Sequence, residues 1–259
     1  MNILDRIVEN KKKELVEKKR STNIDILAKS SYYERKTISL SESISIDNAS
    51  GIIAEFKRSS PSKGIINNTV SPLQVAKDYQ AAGASAISIL TDADFFGGSD
   101  DDILSVRDSI DIPILRKEFI IDPYQIHEAR SLGADIILLI AACLTPNEVR
   151  AFSALARSLS LEILLELHDE DEIGHICDEV NFVGINNRSL KTFDVNIQRS
   201  LDMAKKIPND KLKIAESGID NPATISLFRE NGYAGFLIGE NFMKTANPGA
   251  ALSSFIKSI

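Results

Sequence analysis

From about residue 52 onward, short apolar, β-branched runs alternate with longer amphipathic stretches. The runs at 52–57 (IIAEFK), 86–91 (AISILT), 113–119 (PILRKEF), 136–141 (IILLIA), 162–167 (EILLEL), 182–187 (FVGINN), 213–217 (KIAES) and 236–239 (FLIG) predict eight strands. Their starts recur at intervals of 20 to 34 residues, each long enough for a strand, a helix and two turns. The intervening stretches SPLQVAKDYQAAG, DPYQIHEARSLG, TPNEVRAFSALARSL and NPATISLFRENG open on a capping residue followed by Pro, as helix starts prefer. Eight successive βα units predict an α/β chain closed into a (β/α)8 barrel. A doubly wound open sheet is the competing architecture, but no G-x-G-x-x-G follows the first strand. Ahead of the barrel, Ile3, Leu4, Ile7, Val8, Leu15 and Val16 against a charged remainder predict an amphipathic helix over 3–20. A second short helix and a polar connection are expected over 21–50. The organisation is therefore a helical extension (1–50) packed on a barrel (51–259), one domain overall.

Composition sharpens this picture. A length of 259 residues suits a single barrel, and 43% hydrophobic with 26% charged residues describes an ordinary globular chain. The net charge of -7 argues against a nucleic-acid-binding surface, so any anionic ligand must meet a local cationic cluster. Two cysteines, Cys143 and Cys177, are too few for a disulfide framework or a metal site and read as reduced, buried thiols. The N-terminal MNILDRIVENKKKELVEKKR carries no apolar signal core, and the apolar run at 136–144 is far short of the ~20 residues that span a membrane. A cytoplasmic protein with no membrane partner is expected.

The most informative polar residues lie at the strand ends. In IIAEFKRSSPSKG, Glu55 and Lys57 are two positions apart and therefore share one face of the strand. The third strand brings Lys117 between Arg116 and Glu118, the fifth Glu166, the sixth Asn186, Asn187 and Arg188, and the seventh Glu216 and Ser217. Half-buried charges are costly unless paired, so two lysines, an arginine and three glutamates at one barrel mouth read as a mutually compensating site. The second and fourth strands offer its apolar walls. Gly218 and Gly239, in the loops after strands seven and eight, suit backbone approach to a phosphate. His127, His168 and His175 lack metal-ligand spacing and read as structural or solvent-exposed.

The segments IIAEFKRSSPSKG, FFGGS, LRKEFI, GINNRSL, AESGI and LIGENFM, in this order, closely resemble the indole-3-glycerol phosphate synthase family over the whole chain. The resemblance implies conversion of 1-(2-carboxyphenylamino)-1-deoxyribulose 5-phosphate to indole-3-glycerol phosphate, with loss of CO2 and water, in tryptophan biosynthesis. It implies no cofactor and no metal. It makes Lys117 the general acid of ring closure and Glu166 the proton-transfer group of the dehydration. Lys57 binds the substrate carboxylate, with phosphate as a further ligand, and either lysine can supply the later proton. Glu55 holds Lys57 and Lys117, and the clustered ammonium pair is expected to lower one lysine pKa. Asn186, Arg188 and Ser60 meet the anthranilate carboxylate and its surroundings, Glu216 and Ser217 the sugar hydroxyls and the network, and Gly218 and Gly239 the phosphate. Phe95 and Phe96 cover the aromatic ring.

Two departures from the family pattern stand out. Glu240 occupies a position beside the phosphate where several relatives have Ser. The chain carries no fused phosphoribosylanthranilate isomerase barrel, so a separate isomerase is expected. A monomer is expected, with other tryptophan-pathway enzymes as candidate companions, and SSPSKG is expected to act as a mobile lid through Lys63 and Gly64. The rival readings are another phosphate-binding barrel isomerase or lyase acting on an aminosugar phosphate, and a non-catalytic barrel. Neither needs the joint set Glu55, Lys57, Lys117 and Glu166.

Overall fold

A computed structural model describes residues 2–189 and 194–259. Eight parallel strands, β1 (Ile52–Phe56), β2 (Ala86–Leu90), β3 (Ile114–Lys117), β4 (Ile136–Ile140), β5 (Glu162–Leu167), β6 (Phe182–Asn186), β7 (Leu212–Glu216) and β8 (Tyr233–Ile238), pair in sequence. The sheet closes where β1 pairs with β8, Ala54 opposite Ile238. The predicted (β/α)8 barrel is thus the observed architecture. The last residue of the GINNRSL segment, Leu190, lies outside the described residues.

Side-chain alternation divides each strand between two cores. Ile53, Leu115, Leu138, Leu164, Phe182, Ile214 and Leu237 point inward and fill the barrel axis. Their neighbours Ile52, Ala54, Phe56, Ile87, Ile89, Leu165 and Phe236 point outward against the helices. The same parity carries Glu55, Lys117, Glu166, Asn186 and Glu216 inward at the C-terminal strand ends, one or two pleats above the apolar layer.

The helices between strands follow their start signals. Pro72–Ala82 and Pro146–Ser158 place Pro in the first turn, and Thr145 with Glu148 forms a capping box on the second. One expected unit differs. Between β5 and β6, the shortest interval, only a six-residue 3-10 helix, Glu170–His175, takes the place of an α-helix. The run of four acidic residues DEDE there, with Gly174, lacks the apolar 3.6-residue repeat that a packed helix needs.

The N-terminal extension forms three helices, α1 (Ile3–Ser21), α2 (Ile24–Leu27) and α3 (Leu40–Ser45). They bracket the barrel. Leu40, fully buried, joins the inner core at the N-terminal end of the strands. There Glu162 at the start of β5 accepts hydrogen bonds from Leu40 N (2.6 Å) and Ser39 Oγ (2.8 Å). At the opposite end, Ile3, Leu4 and Ile7 of α1 wall the barrel mouth. The segment after β1 forms a small antiparallel hairpin, Ser59–Ser60 with Gly64–Ile65, whose Gly64 takes a left-handed φ of 67°. Cys143 and Cys177 are free and half-buried rather than fully buried.

Candidate active site

The barrel mouth holds a cavity of about 370 Å³. Glu55, Lys57, Ser60, Lys117, Glu166, Asn186, Arg188, Glu216, Ser217, Gly218 and Gly239, all expected site residues, line it. Leu90, Leu138 and Ile140 supply the apolar walls expected from strands two and four. Phe96 faces the cavity and packs on Phe119, ring centroids 5.9 Å apart. Phe95 does not line it, so of the expected pair only Phe96 is in place. The two are neighbours in the helical turn Ala93–Phe96 and point about 100° apart.

Two carboxylate–ammonium groups divide the floor. On β1, Lys57 Nζ donates to Glu55 Oε1 at 2.5 Å. Across the barrel, Lys117 Nζ donates to Glu166 Oε2 at 2.7 Å and to Glu216 Oε2 at 3.0 Å. Among the described residues Glu55 therefore pairs with Lys57 and reaches Lys117 through its field. Burial disfavours the Lys117 charge, but Glu166, Glu216 and the more distant Glu55 outweigh burial, so its pKa is raised. At Lys117, therefore, the expected lowering does not occur: the groups nearest this ammonium are anions, not the other lysine.

One cation shared by two buried carboxylates splits their behaviour. Burial disfavours the Glu166 anion, yet Lys117 and His168 outweigh it and hold this carboxyl well below its ordinary range. Burial dominates at Glu216, helped by repulsion from Glu166, and pushes it up to about 7. A paired anion beside a carboxyl that titrates near neutrality is an arrangement suited to proton transfer.

Local backbone explains why these side chains fit. A methyl at Gly184 on β6 would lie 2.1 Å from Glu216 Oε1, and one at Gly239 would lie 2.4 Å from Glu55 Oε1. Both glycines clear space for a buried carboxylate, so Gly239 is required by Glu55 as well as suiting a backbone approach. Ser217 and Gly218 both adopt left-handed φ, 66° and 67°. Asn187 Nδ2 holds that turn by donating to Ser217 O at 2.7 Å. Asn186 Nδ2 donates to Glu166 Oε1 at 2.9 Å while its Oδ1 accepts from Arg188 N at 3.0 Å.

Sequence reasoning missed His168 as a site residue. It is 3% exposed, lines the cavity, and sets Nε2 3.0 Å from Glu166 Oε1. The signal was present in its i, i+2 relation to Glu166. Phe119 and the α1 residues Ile3, Leu4 and Ile7 were missed too, since nothing in their local pattern marks a tertiary approach to the mouth. Among the described residues no group of three or more His, Cys, Asp or Glu is arranged to hold a metal ion. No helix is long and apolar enough to cross a membrane.

Fold and site together define a barrel enzyme with a charged mouth suited to a small molecule. The indole-3-glycerol phosphate synthase family model matches residues 4–255, and the chain belongs to that family. It is 43% identical to the indole-3-glycerol phosphate synthase of Bacteroides thetaiotaomicron, covering 100% of this chain and 99% of the relative. It is 40% identical to that of Polynucleobacter necessarius, covering 97% and 98%. Among solved structures, a mutant tryptophan synthase alpha-subunit from Pyrococcus furiosus superposes with a TM-score of 0.61 at 16% identity, covering 81% of this chain and 97% of that one. Tryptophan synthase subunit alpha from Legionella pneumophila superposes with a TM-score of 0.60 at 13% identity, covering 85% and 95%. These last two likenesses concern the fold alone.

Proposed function

We propose that the chain closes the indole ring of 1-(2-carboxyphenylamino)-1-deoxyribulose 5-phosphate, releasing CO2 and water to form indole-3-glycerol phosphate in tryptophan biosynthesis. The observation that carries this reading is Lys117, held as an ammonium between Glu166 and Glu216 on the cavity floor, in a chain of this family.

Lys117 protonates the ketone oxygen of the substrate as the ring carbon bearing the carboxylate attacks the carbonyl carbon. The new C–C bond forms, the ketone becomes a hydroxyl, and CO2 leaves with the bonding pair returning to the ring. The hydroxyl then departs as water, which needs one proton delivered and one removed. Glu166 takes the removed proton; Lys117 helps to keep it anionic, and the Asn186 amide helps to aim it. Lys57, fixed by Glu55, binds the substrate carboxylate, and either lysine can deliver the second proton. A ligand anion, phosphate included, has to compete with Glu55 for Lys57.

Arg188 and Ser60 complete the carboxylate pocket, and Glu216 and Ser217 meet the sugar hydroxyls. Gly218 and Gly239 present backbone N–H groups to phosphate. Phe96, backed by Phe119, covers the aromatic ring. The working form we propose is a cytoplasmic monomer, checked by light scattering of the purified protein.

The test is turnover of the carboxyphenylamino substrate, followed by indole absorbance and by CO2 release, without added metal or nucleotide. Absorbance growth matched by one CO2 per product supports the reading. Product without CO2 assigns an isomerase, and no product at saturating substrate overturns the proposal.

A further inference from the structure

β5 delivers Glu166 to the inner face of the barrel and, two residues on, places His168 on the same side. The imidazole is buried and faces the cavity, and among the described residues neither ring nitrogen completes a hydrogen bond of good geometry. Its Nε2 nevertheless sits 3.0 Å from Glu166 Oε1, and its Nδ1 sits 4.0 Å from Glu172 Oε2. Glu172 is itself fixed, since its Oε2 accepts from the backbone N–H of His168 at 2.6 Å. Buried polar atoms without partners are rare in folded proteins, and those that persist beside a reacting group are poised for use.

The charged and titratable groups around the ring come from five elements. Glu166 on β5, Glu172 on the following 3-10 helix and Glu216 on β7 act on the ring directly, while Lys117 on β3 and the Cys143 thiol of the 3-10 turn after β4 interact with the Glu166 beside it. Three carboxylates against one ammonium leave room for a second cation. Burial works against an imidazolium here, but Glu166, Glu172 and Glu216 outweigh it and raise the His168 pKa. The thiol is neutral, pushed up to about 12 by burial.

We propose that His168 is a positioning residue that donates from Nε2 to Glu166 Oε1 once substrate fills the cavity, fixing the rotamer and the anionic state of Glu166 for the dehydration step. Asn186 already donates to the same oxygen at 2.9 Å and Lys117 to the other at 2.7 Å. With His168 engaged, Glu166 has three donors spread over both oxygens, and the lone pair left uncovered is the one able to accept a proton from substrate. As the pH rises through the His168 pKa the imidazole loses its positive charge but keeps one N–H, so the contact weakens without vanishing. This inference rests on the role given above to Glu166.

The test combines His168→Leu, His168→Gln and Glu166→Gln. His168→Leu is expected to lower kcat about tenfold, the scale of one lost hydrogen bond to a charged group, with KM changed less than threefold. Its acid limb in the pH profile of kcat should move to higher pH, because Glu166 has lost a cation. His168→Gln, which keeps a donor, should recover most of kcat but not the pH shift. In the protein itself, the imidazole 15N shifts should titrate above the ordinary histidine range, and Glu166→Gln should lower that midpoint. The proposal is overturned if His168→Leu leaves kcat and the acid limb in place. It is equally overturned if Gln does no better than Leu while both lower Tm alike, or if the imidazole midpoint ignores Glu166→Gln. Full turnover by Glu166→Gln would instead remove the role of Glu166, a failure separate from that of His168.

Discussion

Residues 116 to 118 carry two charge clusters on opposite sides of one strand. Lys117 points into the cavity, while Arg116 and Glu118 point outward beneath α1. Outside, each cation meets two or more carboxylates. Arg116 is fully buried and donates to Asp100 (2.7 Å), Glu128 (2.6 Å) and the Gln125 carbonyl (3.1 Å). Lys11, 1% exposed, meets Glu14 at 2.7 Å, Asp92 at 3.1 Å and Glu118 at 3.1 Å. Lys18 joins Asp100 and Glu128 from the same helix. Inside, the Lys117 group leaves a carboxyl near neutrality and, among the described residues, a Glu216 Oε1 and an imidazole with no finished hydrogen bond. Among the described residues each cluster leaves one buried carboxylate oxygen without a finished hydrogen bond, Asp92 Oδ2 outside and Glu216 Oε1 inside. The inner one belongs to a residue that lines the cavity, and on that difference we propose that the outer cluster fastens the fold and the inner one does chemistry.

The contrast is broken most directly by paired substitutions. Lys117→Ala should lower kcat by about 10²-fold or more, the usual worth of a general acid, while Tm falls little because Glu216 can take up a proton. Arg116→Met should do the reverse, costing about 3–5 kcal/mol of stability through uncompensated Glu128 and Asp100, with kcat of the folded fraction within a few fold. Denaturant unfolding and steady-state kinetics on both variants decide the matter. An Arg116 variant that is stable but dead would refute the division.

A pH comparison sharpens it further. The Glu216 pKa is raised in the folded state, so its stability contribution is fully present below the ordinary carboxyl range near 4.3 and is lost as pH rises through about 7. Glu216→Gln should abolish that loss, making the variant gain on the parent protein by about 3 kcal/mol between pH 4 and pH 8. A difference that stays flat with pH would place the titration elsewhere. The smallest effect belongs to the exposed rim, where Lys63 Nζ lies 3.6 Å from Glu240 Oε1. Lys63→Ala should change stability by less than about 0.5 kcal/mol, and its effect on KM for the phosphorylated substrate measures how far Glu240 is offset by this lysine.

Much of this site could be read from strand parity. A period of two fixes which of Arg116, Lys117 and Glu118 faces inward once the apolar neighbour Leu115 is assigned to the core, and the same logic places Glu55, Glu166, Asn186 and Glu216. His168 obeys that parity as well, but it lies one residue past the end of β5, where the pattern no longer guarantees direction. Phe95 and Phe96 fall in one helical turn, where adjacent residues diverge and sequence alone does not choose between them. Pairings such as Lys11 with Glu118 join residues more than a hundred positions apart, and local periodicity holds no record of them. The expected strand ends ran two residues long at β3 and one residue long at β1, β2, β4, β6, β7 and β8, where the side-chain alternation continues past the regular ladder.

The contact between Leu40 and Glu162 has a consequence for synthesis. The two residues lie 122 positions apart, so the N-terminal segment leaves the ribosome long before the carboxylate that caps it exists. Until β5 has been translated, Leu40 has no barrel to enter and its amide has no acceptor. Final docking of the earliest-made part of the chain therefore waits on a strand made past the midpoint, and a nascent chain arrested before residue 162 is expected to expose that plug to solvent, to chaperones and to proteases.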